Sequence, residues 1–248
     1  MINARTKTGI VGLDELLEGG FPTGRSILVS GGCGTGKTIF SLQYLYNGIQ
    51  KYQEPGIFVT LDERPELIRE DMLRFNWDLR ELEQKNMLQI IDGSIAKVAI
   101  PSEETYSLPA TGFDLDKLLL EIMRLSKRTN AKRIVIDSIP ALGFNYENEN
   151  DIRKAVLKLS YVLSKTGLTC LMTSEMDETG TKFGKYGVEE YVVDGVIVLH
   201  YMGVGTQTNR TLHIRKMRAT HHSEDLHPLR IGQNGITVHS IDEDYEET

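Results

Sequence analysis

The sequence predicts an α/β protein in which a largely parallel sheet is covered by helices on both faces. Short apolar runs alternate with helical patterns from about residue 26 to residue 174, as in β-α-β units. A glycine-rich segment joins the first apolar run to the first long helical pattern. From residue 195 onward, strand patterns follow one another through turns, which predicts an antiparallel C-terminal extension of the same sheet.

Hydrophobic periodicity places the individual elements. A short helix is expected between Gly12 and Gly20, and a long surface excursion without clear periodicity between Gly93 and Gly112. The predicted strands cover residues 26–30, 57–61, 87–92, 133–138, 168–174, 196–201, 210–217 and 235–238. The predicted helices cover residues 38–52, 65–75, 78–85, a segment capped by Asp114, and 151–165.

Length and charge narrow the possible classes of protein. The 248 residues suit one domain over 1–248, and the acidic residues from about 242 onward predict a solvated tail. A net charge of -7 argues against non-specific nucleic-acid binding as the main activity, and leaves DNA binding an open question.

The cysteines and the N-terminus indicate the compartment. Cys33 and Cys170 lie far apart in sequence, so the chain predicts no disulfide framework. No apolar targeting segment opens the sequence, and no uncharged run approaches the length that spans a membrane. We therefore expect a cytoplasmic protein with no membrane segment.

The glycine-rich segment matches a phosphate-binding loop, defined as glycine, any four residues, then Gly-Lys-Ser/Thr. It lies between a predicted strand and a predicted helix, which is the context that this loop requires. The candidate nucleotide-binding residues of this loop are Gly31, Gly32, Cys33, Gly34, Thr35, Gly36, Lys37 and Thr38.

Each residue type in the loop suits a triphosphate. Glycines leave the backbone N–H groups free to surround the anion, and the following helix directs its positive dipole end toward it. We expect Lys37 to contact the β- and γ-phosphate oxygens and the Thr38 hydroxyl to ligate Mg²⁺. The sequence thus predicts ATP and Mg²⁺ as cofactors.

Three further strands end in polar residues, and ligands bind at the carboxyl ends of parallel strands. Asp137 is the candidate second Mg²⁺ ligand, and Ser138 beside it is a candidate contact to phosphate or to the attacking water. Asp62 and Glu63 are candidates for activating that water, with a solvated turn as the alternative. Ser174 is a candidate γ-phosphate sensor, with an ordinary strand end as the alternative.

Lys216 and Arg218 are candidate catalytic cations. On a regular strand they would share a face with Leu212 and Ile214, so they would project beyond the sheet edge. There they could offset charge on the nucleotide of a neighbouring subunit, and the alternative is a solvated basic edge. The histidines at 213, 221, 222, 227 and 239 show no metal-ligand spacing and are interpreted as surface or packing residues.

Taken together, these motifs resemble the RecA-type ATPase superfamily, and most closely its KaiC-like single-domain members. The resemblance covers nearly the whole chain. It is carried by Thr8 to Leu16, Gly19 to Pro22, the phosphate loop, Phe58 to Pro65, Val135 to Ser138, Gly187 to Tyr191, and Lys216 to Thr220 followed by His222.

The resemblance implies a RecA-type core that works as a hexameric ring, with ATP between subunits. It also implies that Lys216 and Arg218 act on the neighbouring subunit's nucleotide and that Asp62 and Glu63 are the paired catalytic acids. The family generally carries two glutamates, so the shorter Asp62 implies slow hydrolysis or a larger role for Glu63. The sequence holds one such core. Glu175 to Tyr186 has no adjacent Ser-Thr pair like the phosphorylation site of the circadian-clock ATPase KaiC, after which the family is named.

We therefore expect an ATP-binding, Mg²⁺-dependent ATPase that acts as a homo-oligomer, with an unidentified protein partner possible. Two alternatives remain open at this point. One is a DNA-dependent recombination or repair ATPase, and the other is a nucleotide-switched scaffold or autokinase with little turnover.

Overall fold

The computed structural model describes residues 4–94, 104–108, 113–146, 148–176, 182–204 and 207–240. The acidic segment from about 242 and most of the predicted excursion between 93 and 112 lie outside the described residues. The short segment 104–108 contacts the end of an edge strand of the sheet, through a parallel bridge between Asp92 and Ser107.

The described residues form eleven strands. They are β1 Arg5–Thr6, β2 Phe21–Pro22, β3 Ser26–Gly31, β4 Gly56–Thr60, β5 Leu88–Asp92, β6 Arg133–Asp137, β7 Thr169–Glu175, β8 Gly195–Val204, β9 Gln207–Met217, β10 Leu226–Gly232 and β11 Gly235–Val238. Nine of them form the central sheet, and β1 and β2 pair separately. The order across the sheet is β11-β10-β9-β8-β3-β7-β6-β4-β5. The strands from β8 to β5 in this order are parallel, and β9, β10 and β11 join antiparallel.

Helices cover both faces of this sheet, which confirms the predicted fold class. One face carries α1 Lys37–Tyr52, α2 Pro65–Met72 and α3 Leu79–Gln84, and the other carries α4 Leu115–Thr129 and α5 Glu149–Thr166. A short helix, α6 Glu189–Val192, precedes β8, and 3-10 turns cover Glu15–Leu17, Leu73–Phe75 and Ile139–Asn145.

Alternate residues of the central strand β3 divide the core into two parts. Ile27 and Val29 belong to the cluster under α1, whereas Leu28 belongs to the cluster under α4 and α5. All three side chains have no exposed surface. A strand buried on both faces reads as a continuous apolar run, so β3 was recognisable from sequence.

The ends of the helices follow their capping residues. The Asp114 carboxylate accepts hydrogen bonds from the Asp116 and Lys117 amides at 3.0 and 3.1 Å, as its position before the apolar pattern predicts. Asn148 caps α5 by accepting from the Asp151 amide at 3.0 Å, so this helix begins at Glu149 rather than at the predicted Asp151. Asp151 lies in the first turn of this helix.

Two features of the antiparallel extension differ from the prediction. Sequence analysis missed β10, because Pro228 within it has no N–H for the ladder and obscures the strand pattern. The expectation that Lys216 and Arg218 share a face with Leu212 and Ile214 is wrong. Val196 pairs with Lys216 but Ile197 pairs with Ile214, so a β-bulge inserts one residue and reverses the alternation.

Candidate active site

The phosphate loop occupies the turn between β3 and α1, at the carboxyl end of the central strand. Gly36 caps α1 with a φ of +100°, a conformation that a residue with a Cβ rarely adopts. The amides of the first helical turn therefore point at the open end of the loop, where an anion would lie.

A close approach of backbone explains the first glycine of the loop. A Cβ on Gly31 would lie 2.5 Å from the Leu199 carbonyl oxygen and 2.7 Å from Thr35 Oγ1. The Thr35 hydroxyl donates to the Gly32 carbonyl at 2.9 Å, which holds the loop in its curved form. By contrast, a Cβ on Gly32 would meet no atom within 4 Å, and Cys33 is an exposed free thiol.

Lys37 lies folded over the loop. Its Nζ donates to the carbonyl oxygens of Gly31 and Gly32, each at 2.9 Å. Burial lowers the pKa of this ammonium group, while the carboxylates of Glu175 and Asp137 act in the opposite direction. The ammonium group therefore lies at the open end of the loop, where it can exchange these carbonyl oxygens for phosphate oxygens.

Asp137 lies at the end of β6, and two hydroxyl groups form hydrogen bonds with its carboxylate. Thr173 of the neighbouring strand donates to Oδ1, and Thr38 also hydrogen-bonds to this carboxylate. Burial raises the pKa of Asp137 despite these bonds, and nearby Asp62 raises it further. The peptide bond between Asp137 and Ser138 is cis.

The hydroxyl of Thr38 and the carboxylate of Asp137 are the hard oxygen donors that Mg²⁺ requires, and Mg²⁺ retains waters and phosphate oxygens as its other ligands. Within the described ranges, no group of three or more histidine, cysteine, aspartate or glutamate side chains could hold a metal by itself. The residues present thus fit an ion that enters together with a nucleotide.

The two candidate catalytic acids follow β4. The Ser138 hydroxyl donates to Oδ2 of Asp62, so the structure brings together two residues that the sequence placed on separate strand ends. Thr60 Oγ1 accepts from the Glu63 amide at 3.2 Å and donates to the Glu63 carbonyl at 2.5 Å, which fixes this turn. Burial and the charges of Asp71, Asp137 and Asp62 raise the pKa of Glu63.

Ser174 has no exposed surface, and its hydroxyl is held by other protein groups. It donates to Glu189 Oε1 at 3.1 Å and accepts from the Lys185 amide at 3.1 Å. Glu189 is itself fully buried and also accepts from the amides of Tyr186 and Val188, at 3.3 and 3.0 Å. Ser174 therefore joins the end of β7 to the segment 185–189.

Lys216 and Arg218 lie far from the phosphate loop of their own chain. Gly31 pairs with Leu199 on β8. The Arg218 amide bonds to the Asp194 carbonyl. Asp194 is five residues before Leu199, which corresponds to about 16 Å along an extended chain. Lys216 Nζ donates to the carbonyls of Glu190 and Val193 at 3.0 and 2.7 Å, and burial lowers its pKa. The structure does not bring these cations to the loop.

Arg210 is a residue at the site that sequence analysis missed. Its Nε and Nη2 atoms both donate to the Gly34 carbonyl at 3.2 Å, and its guanidinium stacks 4.5 Å from the centre of the Tyr201 ring. The direction of β9 could have indicated this contact. Because β9 runs antiparallel to β8, its first residues lie at the edge of the sheet that carries the phosphate loop.

A cleft of about 620 Å³ opens beside the first turn of α1 and ends at Arg210. A Cβ on Gly36 would lie 2.9 Å from Ile231 Cδ1, so the floor of this cleft packs directly on the loop. Its lining residues are Ile39, Asp71, Met72, Arg74, Phe75, Arg210, Ile231, Gly232 and Gln233.

Comparison with known proteins identifies the family. Residues 6–243 match the family described as "ATPase: KaiC". The chain belongs to the KaiC family of ATPases. The circadian clock oscillator protein KaiC of Parathermosynechococcus lividus is 39% identical over 234 residues, and that of Synechococcus elongatus is 39% identical over 235 residues.

These KaiC relatives are longer than this chain. The alignments span 94–95% of this chain but only 42–44% of each relative. A solved structure agrees in length. The crystal structure of a KaiC-like protein from the hyperthermophilic archaeon Pyrococcus horikoshii OT3 is 41% identical, with a TM-score of 0.83, over 96% of this chain and 99% of that one. The RecA-type KaiC fold is therefore shared over almost the entire chain.

Proposed function

We propose that this KaiC-like chain binds ATP with Mg²⁺ and hydrolyses it in a homo-oligomer, a ring of about six subunits. The observation that carries the proposal is the convergence of Lys37, Thr38 and Asp137 at one edge of the sheet, bridged by the hydrogen bond of Thr38 to Asp137. A phosphate-binding loop, a metal-binding hydroxyl and a metal-binding carboxylate form the common core of such sites.

In this proposal the loop amides and Lys37 hold the phosphates. The Thr38 hydroxyl and the Asp137 carboxylate would hold Mg²⁺, which neutralises charge on the phosphate oxygens when it is bound. The raised pKa of Asp137 supports this role, because a carboxylate that is buried among hydroxyls gains most from a neighbouring cation.

Glu63 is the better candidate for activating the attacking water. Its pKa is raised by burial and by three neighbouring carboxylates, which favours uptake of a proton at neutral pH. Asp62 is shorter and accepts the Ser138 hydroxyl, so we assign it to orienting the turn and Ser138.

The cleft beside α1 is the candidate site for the nucleoside. Arg210 lies between this cleft and the loop. Its guanidinium could bind the nucleotide by giving up its hydrogen bonds to the Gly34 carbonyl. Ile39 and Ile231 supply apolar surface on which a base can lie.

The separation of Lys216 and Arg218 from their own loop supports a site that is completed by a second subunit. Two variants test this directly: K37A lacks the loop cation, and R218A retains the loop but lacks the distal cation. If cations act across subunits, each variant is inactive alone, and a mixture regains turnover because an R218A loop then meets an intact Arg218.

The first experiment is ATP turnover by wild type, by each variant and by their mixture, with oligomer mass read by light scattering. Recovery in the mixture supports the shared site, and R218A alone at wild-type rate contradicts it. Bound nucleotide is measured in parallel, and retention of ATP by K37A would contradict the assignment of the loop. Stimulation by single-stranded DNA, with binding that falls steeply with salt, would favour the recombination alternative.

We place the protein in the cytoplasm. Cys33 and Cys170 are both free thiols, which suits a reducing compartment. Among the described residues, no helix is both long enough and apolar enough to cross a bilayer.

A further inference from the structure

Ser223 and His227 form a close pair outside the nucleotide site, on the segment between β9 and β10 and the start of β10. Ser223 Oγ lies 2.7 Å from His227 Nε2. The other ring nitrogen, Nδ1, lies 3.2 Å from the carbonyl oxygen of His239. The imidazole is therefore held from both sides, and only 3% of His227 is exposed.

These partners determine where the protons lie. A carbonyl oxygen can only accept, so His227 Nδ1 must carry a hydrogen, and Nε2 of the neutral ring is then an acceptor. The Ser223 hydroxyl must donate to Nε2, and its oxygen accepts the Asp225 amide at 3.2 Å. A serine hydroxyl that donates to an imidazole, itself oriented by a third group, is the arrangement of an activated nucleophile.

The pair also has access to ligands. Ser223 is half-buried, and its segment lines a cleft of about 490 Å³. The formal charges among the lining residues are the carboxylates of Glu224 and Asp225, which disfavour an anionic ligand. The lining residues are Thr220, His221, His222, Ser223, Glu224 and Asp225.

We propose that Ser223 is a nucleophile activated by His227, and that this second site cleaves neutral or cationic esters of short acyl groups. Ser223 Oγ attacks the acyl carbon while its proton passes to His227 Nε2. The C–O bond to the alcohol breaks, and the leaving alcohol takes that proton. Water then attacks the acyl-serine, giving one proton to His227 and releasing the carboxylic acid, and the proton returns to Ser223.

A fluorophosphonate probe tests the nucleophile, because an activated serine displaces its fluoride and retains the phosphonyl group. Mass spectrometry of the labelled protein reports each serine separately. Ser164 is an internal reference, since it is exposed and its hydroxyl donates to the Tyr161 carbonyl rather than to a base. We expect Ser223 to be labelled at least about tenfold faster than Ser164.

Two variants separate base catalysis from structure. In H227Q the amide can keep both hydrogen bonds but cannot take up a proton, so labelling of Ser223 should fall about 100-fold. S223A should abolish hydrolysis of p-nitrophenyl acetate, and the negatively charged p-nitrophenyl hemisuccinate should be a poorer substrate for wild type. S164A should leave the labelling of Ser223 and the hydrolysis of p-nitrophenyl acetate unchanged. Neither readout uses ATP, so failure at the nucleotide site does not affect this test.

The proposal is overturned if Ser223 reacts no faster than Ser164, if folded H227Q is labelled at the wild-type rate, or if S223A still cleaves the acetate. Thermal unfolding checks that H227Q is folded. If it is not, the ratio of Ser223 to Ser164 in the wild type decides alone.

Discussion

Thr173 donates its hydroxyl to Oδ1 of Asp137, so the ends of the neighbouring strands β7 and β6 are joined by a side-chain hydrogen bond. The bond directs the carboxylate toward Thr38. The carboxylate is poorly solvated there, and this desolvation raises the pKa of Asp137. An ionised carboxylate at this position is therefore unfavourable for the ligand-free protein.

Replacing Asp137 by asparagine should stabilise the ligand-free protein. A carboxyl group whose pKa is raised on folding stabilises the protein below its unfolded-state pKa and loses that contribution as pH rises through the folded value. At neutral pH the ionised form is therefore unfavourable, and D137N should raise the free energy of unfolding by about 0.5–2 kcal/mol. Thermal unfolding without and with Mg²⁺-ATP measures the effect, and Mg²⁺-ATP should no longer add stability. A lower midpoint of ligand-free D137N would contradict this.

The phosphate loop offers a matched pair of glycine substitutions. G31A should lower the unfolding midpoint by several degrees, because the new Cβ would lie 2.5 Å from a backbone oxygen. G32A places its Cβ in open space and should change the midpoint by less than about 1 °C. Thermal unfolding of both variants without nucleotide tests the difference, and equal midpoints would refute it.

Arg69 connects helix α2 to Glu83 and Glu104. Its guanidinium donates to Glu83 at 2.8 Å and to Glu104 at 2.6 and 2.8 Å, and only 9% of its side chain is exposed. R69M removes the cation that two partly buried carboxylates share and should cost about 3 kcal/mol. R124M is the control, because Arg124 forms an exposed pair at 3.8 Å and should cost less than about 1 kcal/mol.

The contacts of Arg69 with Glu83 and Glu104 also predict that the free energy of unfolding depends on pH. Hydrogen bonding to Arg69 lowers the pKa of Glu104. The stabilisation is therefore present above the ordinary carboxyl pKa and is lost as pH falls through the lowered value. Urea unfolding of wild type and R69M between pH 7 and pH 3 should show converging stabilities toward acid, and parallel curves would exclude this account.

Gly48 lies in the interior of α1, where alanine normally stabilises a helix by about 1 kcal/mol. Here a Cβ would lie 2.3 Å from Arg133 Nε, and Arg133 is fixed by Glu54 and by the Tyr44 carbonyl. G48A should therefore destabilise the protein by about 1–3 kcal/mol. A double-mutant cycle with R133M, read by chemical unfolding, should show a smaller cost of G48A when Arg133 is absent, and additive effects would rule out the clash.

Local patterns predicted the parts of the molecule that depend on local chemistry. The phosphate loop, the cap at Asp114 and the buried strand β3 each follow from a few adjacent residues. Arg210 was missed because its approach to Gly34 depends on the pairing of β8 with β9 and with β3, which no short pattern encodes. The pairing of Ser138 with Asp62 depends in the same way on β6 lying beside β4.

Other differences arise from single residues with non-local effects. The extra residue between Ile214 and Lys216 reverses which face Lys216 and Arg218 occupy, although the sequence alternates regularly there. The hydroxyl of Ser174 looks available at a strand end, but Glu189 lies 15 residues further along the chain and returns to accept it. Hydrogen bonds of this kind depend on the tertiary path of the backbone.

The distance between the phosphate loop and Arg218 within one chain has a consequence for stoichiometry. If each complete site takes its loop from one subunit and its distal cations from the next, an open row of subunits always has one fewer complete site than it has chains. Closing the row into a ring completes the last site. Specific activity per chain would then rise with assembly and reach its maximum when the ring closes. Dilution, which favours dissociation, would by itself lower the activity per chain.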